Sequence, residues 1–499
     1  MKNFKILLLH ELHDQLKTFS FLVMILTALV VGLLVTNVQI TSFKDRWAVY
    51  KEQSQQSQES LENMYFYSQL KVDVYMPPTV LSVFAKGLDE TIGNKITVSA
   101  LDLPELTVTS QRGNAFIKIF NNIDISGIVK ILSIFIILMA TCPIAMNREQ
   151  QTGKLIFSGS VGRLEYYLSK YVALMIIACI VTLVIFFIPI LWIWFDAQVE
   201  LKLSDTVSIL FMAFSSILYF SIFILIGLAV SAMSAKISIA TLSGLMIWII
   251  LAYVYPFTVN SIIDRTVKVP SDNSIAEQIK KIENDVMVEN YLYMLENNLN
   301  IHRSLGDMSM LMAGVVTKNT AATKTVMEET KRMHDFTLPN VFKSINTITE
   351  IKENQKTHLI RKKTLYDLFA FFLPDRIYQN LCEEVAGTNY NFREKQFTDA
   401  AKNYRSVFMN YVQSKNGFGY AFFTQMPESE WFEDNARYSR EIRDRYSEPE
   451  NLSKIASDLP QFSMPYRSKG YMALMWLFLA NIIAGGMSLW IYNKYLSFK

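Results

Sequence analysis

The chain has 499 residues, of which 51% are hydrophobic and 13% aromatic, while only 19% are charged. Soluble globular domains are about a quarter charged, so this composition favours a membrane-embedded protein and excludes a disordered chain. The formal net charge of +3 is too small to indicate a nucleic acid as the partner. Three cysteines, Cys142, Cys179 and Cys382, cannot form a disulfide framework or a CxxC-type metal site.

Six apolar stretches are long enough to cross a bilayer, which takes about 20 helical residues for roughly 30 Å of hydrocarbon. The second of them includes Lys130, whose side chain we expect to extend towards the headgroups. No cleavable signal peptide is predicted, because the first apolar run is too long and lacks a small-residue cleavage site. The predicted spans are 18–42, 128–147, 171–195, 206–233, 237–260 and 470–493.

The lysines and arginines of the short segments between spans fall on one side, which predicts that this side is cytoplasmic. It carries the N-terminal segment 1–17, the connector 148–170 and the tail 494–499, so both termini are predicted to be cytoplasmic. Two long segments, 43–127 and 264–469, then lie on the opposite, extracytoplasmic side of the membrane.

The second long segment has 56 charged residues in 206, which is the composition of a soluble domain. Its apolar residues recur at helical spacing, and Asn391 with Glu394 has the spacing of a helix-capping box. Gly387 is placed to end the preceding helix. The first long segment is helical at 51–62, and strand-like alternation follows near 95–98 and 106–109. The helical stripes comprise Ile275, Ile279, Ile282 and Val286, and Phe397, Ala401, Tyr404, Phe408 and Tyr411.

The predicted fold class is therefore an all-α polytopic membrane protein. It has six transmembrane helices, a mostly helical extracytoplasmic domain at 264–469 and a smaller α+β outer segment at 43–127. Internal sequence repeats are not apparent.

Sequence motifs for catalysis are absent: there is no G-x-x-x-x-G-K-[ST] loop, H-E-x-x-H or G-x-S-x-G. We therefore predict that the chain is not an enzyme, cannot hydrolyse ATP alone and binds no metal. His10 and His13 are spaced as a helical pair, but a polar helix face is the better interpretation. Secondary carriers and ion channels are disfavoured, because the span centres lack charged residues and no filter-like loop occurs.

The connector is the only sizeable cytoplasmic loop. It contains a charged helix end, a break at Gly153, a short apolar helix with Leu155 and Phe157, and an amphipathic restart at Arg163. A short helix that exposes apolar residues to the cytoplasm needs a partner protein to cover it.

The connector resembles the coupling segment of ABC-2 type transporter permeases, which docks on the ATPase. That pattern is Glu-x-x-x-Gly-Thr-Leu, then Ser-x-Pro-Val-x-Arg, then Lys, and here Lys154 and Ser160 replace the usual Thr and Pro. The matching residues are Glu149, Gly153, Leu155, Ser158, Val161, Arg163 and Lys170. The ATPase-coupling residues that the resemblance implies are Arg148, Glu149, Gly153, Leu155, Phe157, Val161 and Arg163.

The N-terminal segment places Leu9, Leu12 and Leu16 on one helix face. It looks like the interfacial helix that precedes span one in the same family, and such a helix would lie against membrane lipid. The alternative is a simple cytoplasmic extension of span one.

A narrower resemblance rests on short motifs in the two outer segments. They look like a bacterial subfamily with a domain of unknown function before the last span, similar to permeases of gliding motility and of nitrous-oxide reductase maturation. Asn389 stands where Asp is common, and Gly387-Thr388 is either a helix stop and restart or a ligand contact. The motifs are Pro77-Pro78 with Leu81, Gly87-Leu88, Asp124, Leu373-Pro374, Ala386-Gly387-Thr388-Asn389 and Phe397.

The resemblance implies a permease subunit of an ABC exporter. ATP and Mg would be bound by a cytosolic ABC ATPase dimer, and a second permease, either a copy of this chain or a sister subunit, would complete the pathway. Two alternatives remain open. One is a mechanotransmission subunit that remodels a periplasmic partner, and the other is a structural or sensor membrane protein with no ATPase.

Overall fold

The computed structural model describes residues 2–62, 67, 70–89, 93–99, 103–104, 106–107, 123–158, 161–196, 199, 201–299, 320–369, 373–415, 417–418, 459–466 and 470–495. The helices of this part of the chain are α1 (Lys2–Leu16), α2 (Phe19–Glu62), α3 (Ile125–Glu149), α4 (Thr152–Ser158), α5 (Arg163–Phe195), α6 (Leu203–Met233), α7 (Ile237–Thr266), α8 (Asp272–Glu296), α9 (Thr320–Phe369), α10 (Pro374–Ala386), α11 (Phe397–Ser414) and α12 (Tyr471–Tyr495).

Six of these described helices, α2, α3, α5, α6, α7 and α12, are long and apolar enough to cross a membrane. This result confirms the prediction of an all-α polytopic membrane protein. α2 has 44 residues and is therefore about 66 Å long, roughly twice the thickness of the hydrocarbon layer. Its C-terminal, Gln-rich half continues from span one into the first long segment.

α6 is the central helix of the bundle and packs against α3, α5, α7 and α12. α3 contains Pro143, and immediately after it the backbone N–H groups of Ile144 and Ala145 donate to Oγ of Ser231 on α6, at 3.1 and 2.9 Å. A neighbouring serine commonly accommodates the backbone around a proline in a membrane helix. This contact lies near the end of the bundle that carries the connector, which we call the connector end; the opposite end is the domain end.

The two long segments share one hydrophobic core at the domain end. β1 (Lys71–Tyr75), β2 (Lys95–Ser99) and β3 (Leu106–Thr107) form an antiparallel sheet in the order β1-β2-β3. Alternate residues of β1 and β2 point to the same face, as the two-residue period of a strand requires. That face packs on α11, so both segments build a single large domain. The shared core contains Val72, Val74, Ile96, Val98, Phe397, Ala401, Tyr404 and Phe408.

α8 and α9 form a long antiparallel pair in the large domain. Near one end Gln355 Nε2 donates to the backbone oxygen of Pro270 at 3.2 Å, and further along Tyr293 stacks on Phe336 with ring centroids 3.8 Å apart. With 50 residues, α9 is about 75 Å long.

α10, which belongs to the second long segment, packs directly against the membrane-crossing helices. Ile377 joins a small cluster with Ile222 of α6 and Leu477 of α12, and Tyr378 shares a 2.8 Å hydrogen bond with Ser216 of α6. α10 therefore links the large domain to the bundle.

The end of α10 was correctly predicted, but the next cap was not. Gly387 takes a left-handed conformation with φ 70° directly after α10, as a glycine stop requires. The expected cap at Asn391 is wrong, because a π-helical turn already covers Asn391–Gln396. Asn389 takes that role instead, since its Oδ1 accepts from the Phe392 N–H at 2.9 Å.

Candidate functional site

The connector reverses the chain between α3 and α5. α3 ends at Glu149, Gln151 takes a positive φ of 57°, and the seven-residue α4 follows. Gly162 then caps the start of α5. The short helix α4 is thus held between two membrane-crossing helices at the connector end.

Arg148 binds the C-terminal ends of two other helices. Its Nη1 donates to the backbone oxygen of Ser234, the residue that caps α6, at 3.1 Å. Its Nη2 donates to the backbone oxygen of Tyr495, the last described residue of α12, at 2.9 Å. A cation suits these positions, because the C-terminal carbonyls of a helix carry a partial negative charge.

Glu149 binds the opposite kind of helix end. Its Oε2 accepts a hydrogen bond from the backbone N–H of Ile237, the first residue of α7, at 2.8 Å. An anion is favoured there, because the first N–H groups of a helix lack partners and carry partial positive charge. Together, Arg148 and Glu149 attach the end of α3 to α6, α7 and α12.

The apolar residues of the connector pack partly inward. Phe157 meets the ring of Tyr166 edge-on, with centroids 5.2 Å apart, and both Phe157 and Val161 pack against the bundle core. Asn147 Nδ2 donates to the Tyr166 hydroxyl at 2.6 Å. Gly153 is buried, whereas the side chain of Leu155 lies outside the described residues. The apolar face of α4 is therefore covered in part by this chain itself.

Exposed residues of the connector lie at the end of α4 and at the start of α5. Arg163 and Ser158 are exposed, and Leu164, with 58% of its surface accessible, is an exposed apolar residue beside them. The Arg163 carbonyl accepts from the Tyr492 hydroxyl of α12 at 2.9 Å. Leu164 is not among the coupling residues predicted from the sequence, although it directly follows Arg163 of the motif.

The helix α1 packs on α5 through a buried ion pair. Lys170 Nζ lies 2.6 Å from Glu11 Oε2 and 4.8 Å from the centre of the Tyr166 ring. The three leucines predicted to share one face differ in environment: Leu12 packs against the core, whereas Leu9 and Leu16 are 56% and 37% exposed. The sequence identified Lys170 only as a motif match, because its partner Glu11 lies 159 positions away.

The outer-domain motif joins the two long segments. Thr388 Oγ1 donates to the backbone oxygen of Ala85 at 2.9 Å, and the Leu88 N–H donates to the Thr388 carbonyl at 2.9 Å. We call this contact, formed by Ala85, Gly87, Leu88 and Thr388, the clasp. Gly87 has φ 50°, and a Cβ atom there would lie 2.7 Å from the Thr388 carbonyl oxygen. A glycine is therefore required at this position.

A buried group of charges lies next to the clasp. Asp89 pairs with Arg46 of α2 and with Arg393, and Arg393 Nη1 also donates to the backbone oxygens of Asp89 and Gly93 at 3.1 and 2.9 Å. Burying an unpaired charge is costly, whereas a paired and hydrogen-bonded one is tolerated. These contacts fix α2 to the large domain, and no motif in the sequence indicated them.

A second buried carboxylate reaches the bundle from α10. The Tyr219 hydroxyl, near the middle of α6, donates to Asp375, whose other carboxylate oxygen lies 4.0 Å from Lys130 Nζ. Burial raises the pKa of Asp375 above its ordinary value, and Lys130 acts in the opposite direction. The sequence showed no acidic residue within the spans, and this one enters from the large domain.

Within the described residues, no group of three or more His, Cys, Asp or Glu side chains is arranged to hold a metal ion. No curated protein matches the sequence. The family model for the ABC-2 family transporter protein matches residues 5–412, which include the connector, the clasp and five of the six apolar helices. The chain therefore belongs to the ABC-2 family of transporter proteins.

Proposed function

We propose that the chain is a membrane permease subunit of an ABC exporter and that a separate cytosolic ATPase dimer drives it through the connector. The proposal is based on the hydrogen bonds that Arg148 and Glu149 make to the ends of other helices. They tie the start of the connector to α6, α7 and α12 at once. A displacement of α4 by a docked partner would therefore reach four membrane-crossing helices.

In this proposal the exposed surface around Arg163 and Leu164 contacts the ATPase, while Arg148 and Glu149 transmit its movement. α3 can bend at Pro143, where Ser231 supports the backbone of Ile144. ATP and Mg are bound by the partner ATPase. Since an ATPase dimer offers two docking clefts, two permeases, either two copies or this chain with a sister subunit, complete the assembly.

The orientation belongs to the same proposal. The connector, α1 and both termini face the cytoplasm of a bacterium, and the large domain lies on the outer side of its inner membrane. The basic residues at the connector end support this orientation, among them Lys5, Lys17, Arg163 and Lys236.

A second candidate function is mechanotransmission, in which ATP hydrolysis moves the large domain rather than a substrate. The packing of α10 on α6 and α12, together with the Tyr219–Asp375 hydrogen bond, favours it. Through these contacts a shift of the spans would move the domain directly. The long α8–α9 pair would then act on a periplasmic partner.

Purification from native membranes in mild detergent tests the proposal. We expect a cytosolic ATPase to accompany the tagged chain and to be lost from the Arg163→Glu variant. A chain that purifies without an ATPase would contradict the proposal and favour the structural or sensor alternative.

Spin labels distinguish export from mechanotransmission in the same complex. One label replaces Met287, which is exposed on α8, and the other replaces Phe195, which is exposed at the end of α5. Mechanotransmission predicts that ATP changes the distance between them. Export without domain movement predicts an unchanged distance while ATP is hydrolysed.

A further inference from the structure

A cavity of about 960 Å³ lies where the large domain meets the membrane-crossing helices. Its walls come from the C-terminal part of α9, from α10 and from the first turns of α12. Pockets of this size accommodate small organic molecules. The residues of the connector lie at the opposite end of the bundle, so the cavity is separate from the coupling site.

The lining of the cavity is amphipathic. α12 contributes the apolar side chains of Met472, Ala473 and Trp476. α9 and α10 contribute two cations, Lys363 and Arg376, and the carboxylates of Asp367, Glu383 and Glu384. A ligand that satisfies both walls must have an apolar part and a polar part.

Arg376 supplies a cation whose hydrogen bonding is incomplete. Its Nε is buried and has no hydrogen-bond partner within the described residues, and its charge interacts with the carboxylate of Glu383 in the same wall. The guanidinium lies over the Tyr366 ring, 5.4 Å from the centroid. By contrast, Lys363 in the same wall is paired with Asp367 at 2.9 Å. A guanidinium with an unpaired N–H group favours an anionic acceptor, and phosphate oxygens match its planar donor geometry.

The position of the cavity indicates where this ligand comes from. α12 crosses the membrane and begins at Tyr471, so Met472, Ala473 and Trp476 lie in its first two turns. Tryptophan is favoured at the level of the lipid headgroups. The apolar wall therefore lies at the end of a membrane-crossing helix, and Arg376 of α10 lines the same cavity.

We propose that this cavity binds one membrane phospholipid, with its phosphate on Arg376 and an acyl chain along Trp476 and Met472. The cation binds the phosphate, and the first turns of α12 cover the upper part of the chain. The site needs neither an ATPase nor a transport cycle, so it stands independently of the proposed function.

Native mass spectrometry of the full-length chain in mild detergent tests this site, with phosphatidylethanolamine as the added probe. We expect one retained lipid per chain. Arg376→Gln should weaken retention at least tenfold, because it removes the charge that binds the phosphate. Ala473→Trp should do the same by filling the apolar wall. Arg265→Gln is the matched control, since Arg265 is an exposed arginine near the domain end of α7.

Two further probes identify the part of the ligand that is recognised. Diacylglycerol, which lacks the phosphate, and glycerophosphoethanolamine, which lacks the acyl chains, should both bind at least tenfold more weakly than the intact lipid. Equal binding of either probe would overturn the proposal, as would equal lipid retention by the wild type and both variants. If Arg376→Gln fails to fold, Ala473→Trp decides the result, because it leaves the cation in place.

Discussion

The carboxylate of Glu149 accepts the backbone N–H of Ile237 at 2.8 Å, so the last residue of α3 caps the first turn of α7. Its neighbour Arg148 binds the carbonyl ends of α6 and α12. Adjacent residues of opposite charge thus bind helix ends of opposite polarity, which is the arrangement that helix dipoles favour. The connector is fixed to the bundle by electrostatics as well as by chain connectivity.

Substitutions in the connector should separate ATPase binding from coupling. Glu149→Ala removes the cap of α7, worth about 1 kcal/mol, and should lower ATP-driven activity several-fold while the ATPase still co-purifies. Arg163→Glu reverses an exposed charge and should release the ATPase itself. Membrane insertion of both variants should be normal, as measured by membrane fractionation. Normal ATP-driven activity in both would refute the role assigned to the connector.

The packing of α1 on α5 should lose stability when one charge of the ion pair is reversed and should recover when the two charges are exchanged. Lys170→Glu places two carboxylates in a buried site and should destabilise the packing of α1 by about 3–5 kcal/mol. The exchange Glu11→Lys with Lys170→Glu should recover part of that loss. Thermal unfolding in detergent measures both.

The exposed pair His10–Asp14 on the same helix is the control for this exchange. Asp14→Asn should change stability by less than about 1 kcal/mol, because solvent screens the pair. A double variant that is no more stable than Lys170→Glu would show that the two charges do not interact.

The membrane-crossing helices could be predicted from the sequence because each is a local property of about 20 consecutive residues. The helical stripe from Phe397 to Phe408 was predictable for the same reason, and it is buried as expected. The partners of Glu11, Asp89 and Asp375 could not be predicted from the sequence, since each partner lies far away along the chain. The connector motif likewise gave no sign that Glu149 binds a helix end rather than a partner.

The clasp should not tolerate a side chain at position 87. Gly87→Ala places a residue with a Cβ at φ 50°, which costs about 1–2 kcal/mol, and the new atom overlaps the Thr388 carbonyl oxygen. We expect a lower melting temperature and easier proteolysis of the large domain. Gly486→Ala is the matched control, because a Cβ atom there meets nothing within 4 Å. Equal melting temperatures for the two variants would contradict the requirement for a glycine in the clasp.

Thiol labelling should report both burial and orientation. Cys382 is buried on α10, and burial raises the pKa of its thiol above the ordinary value. At pH 8 the thiol therefore remains protonated and enclosed, and since the thiolate is the reactive form, a maleimide should label it only after unfolding. Val407 on α11 is 51% exposed, so Val407→Cys supplies an accessible thiol in the same domain.

In intact spheroplasts, with Cys142 and Cys179 replaced by serine in both chains, a membrane-impermeant maleimide should label the Val407→Cys variant and leave the parent chain, which keeps only Cys382, unlabelled. Labelling of Val407→Cys only after the cells are lysed would place the large domain in the cytoplasm and reverse the proposed orientation. Labelling of the parent chain before unfolding would contradict the burial of Cys382. The two outcomes are independent, because the first depends on the side of the membrane and the second on the packing of α10 against α6 and α12.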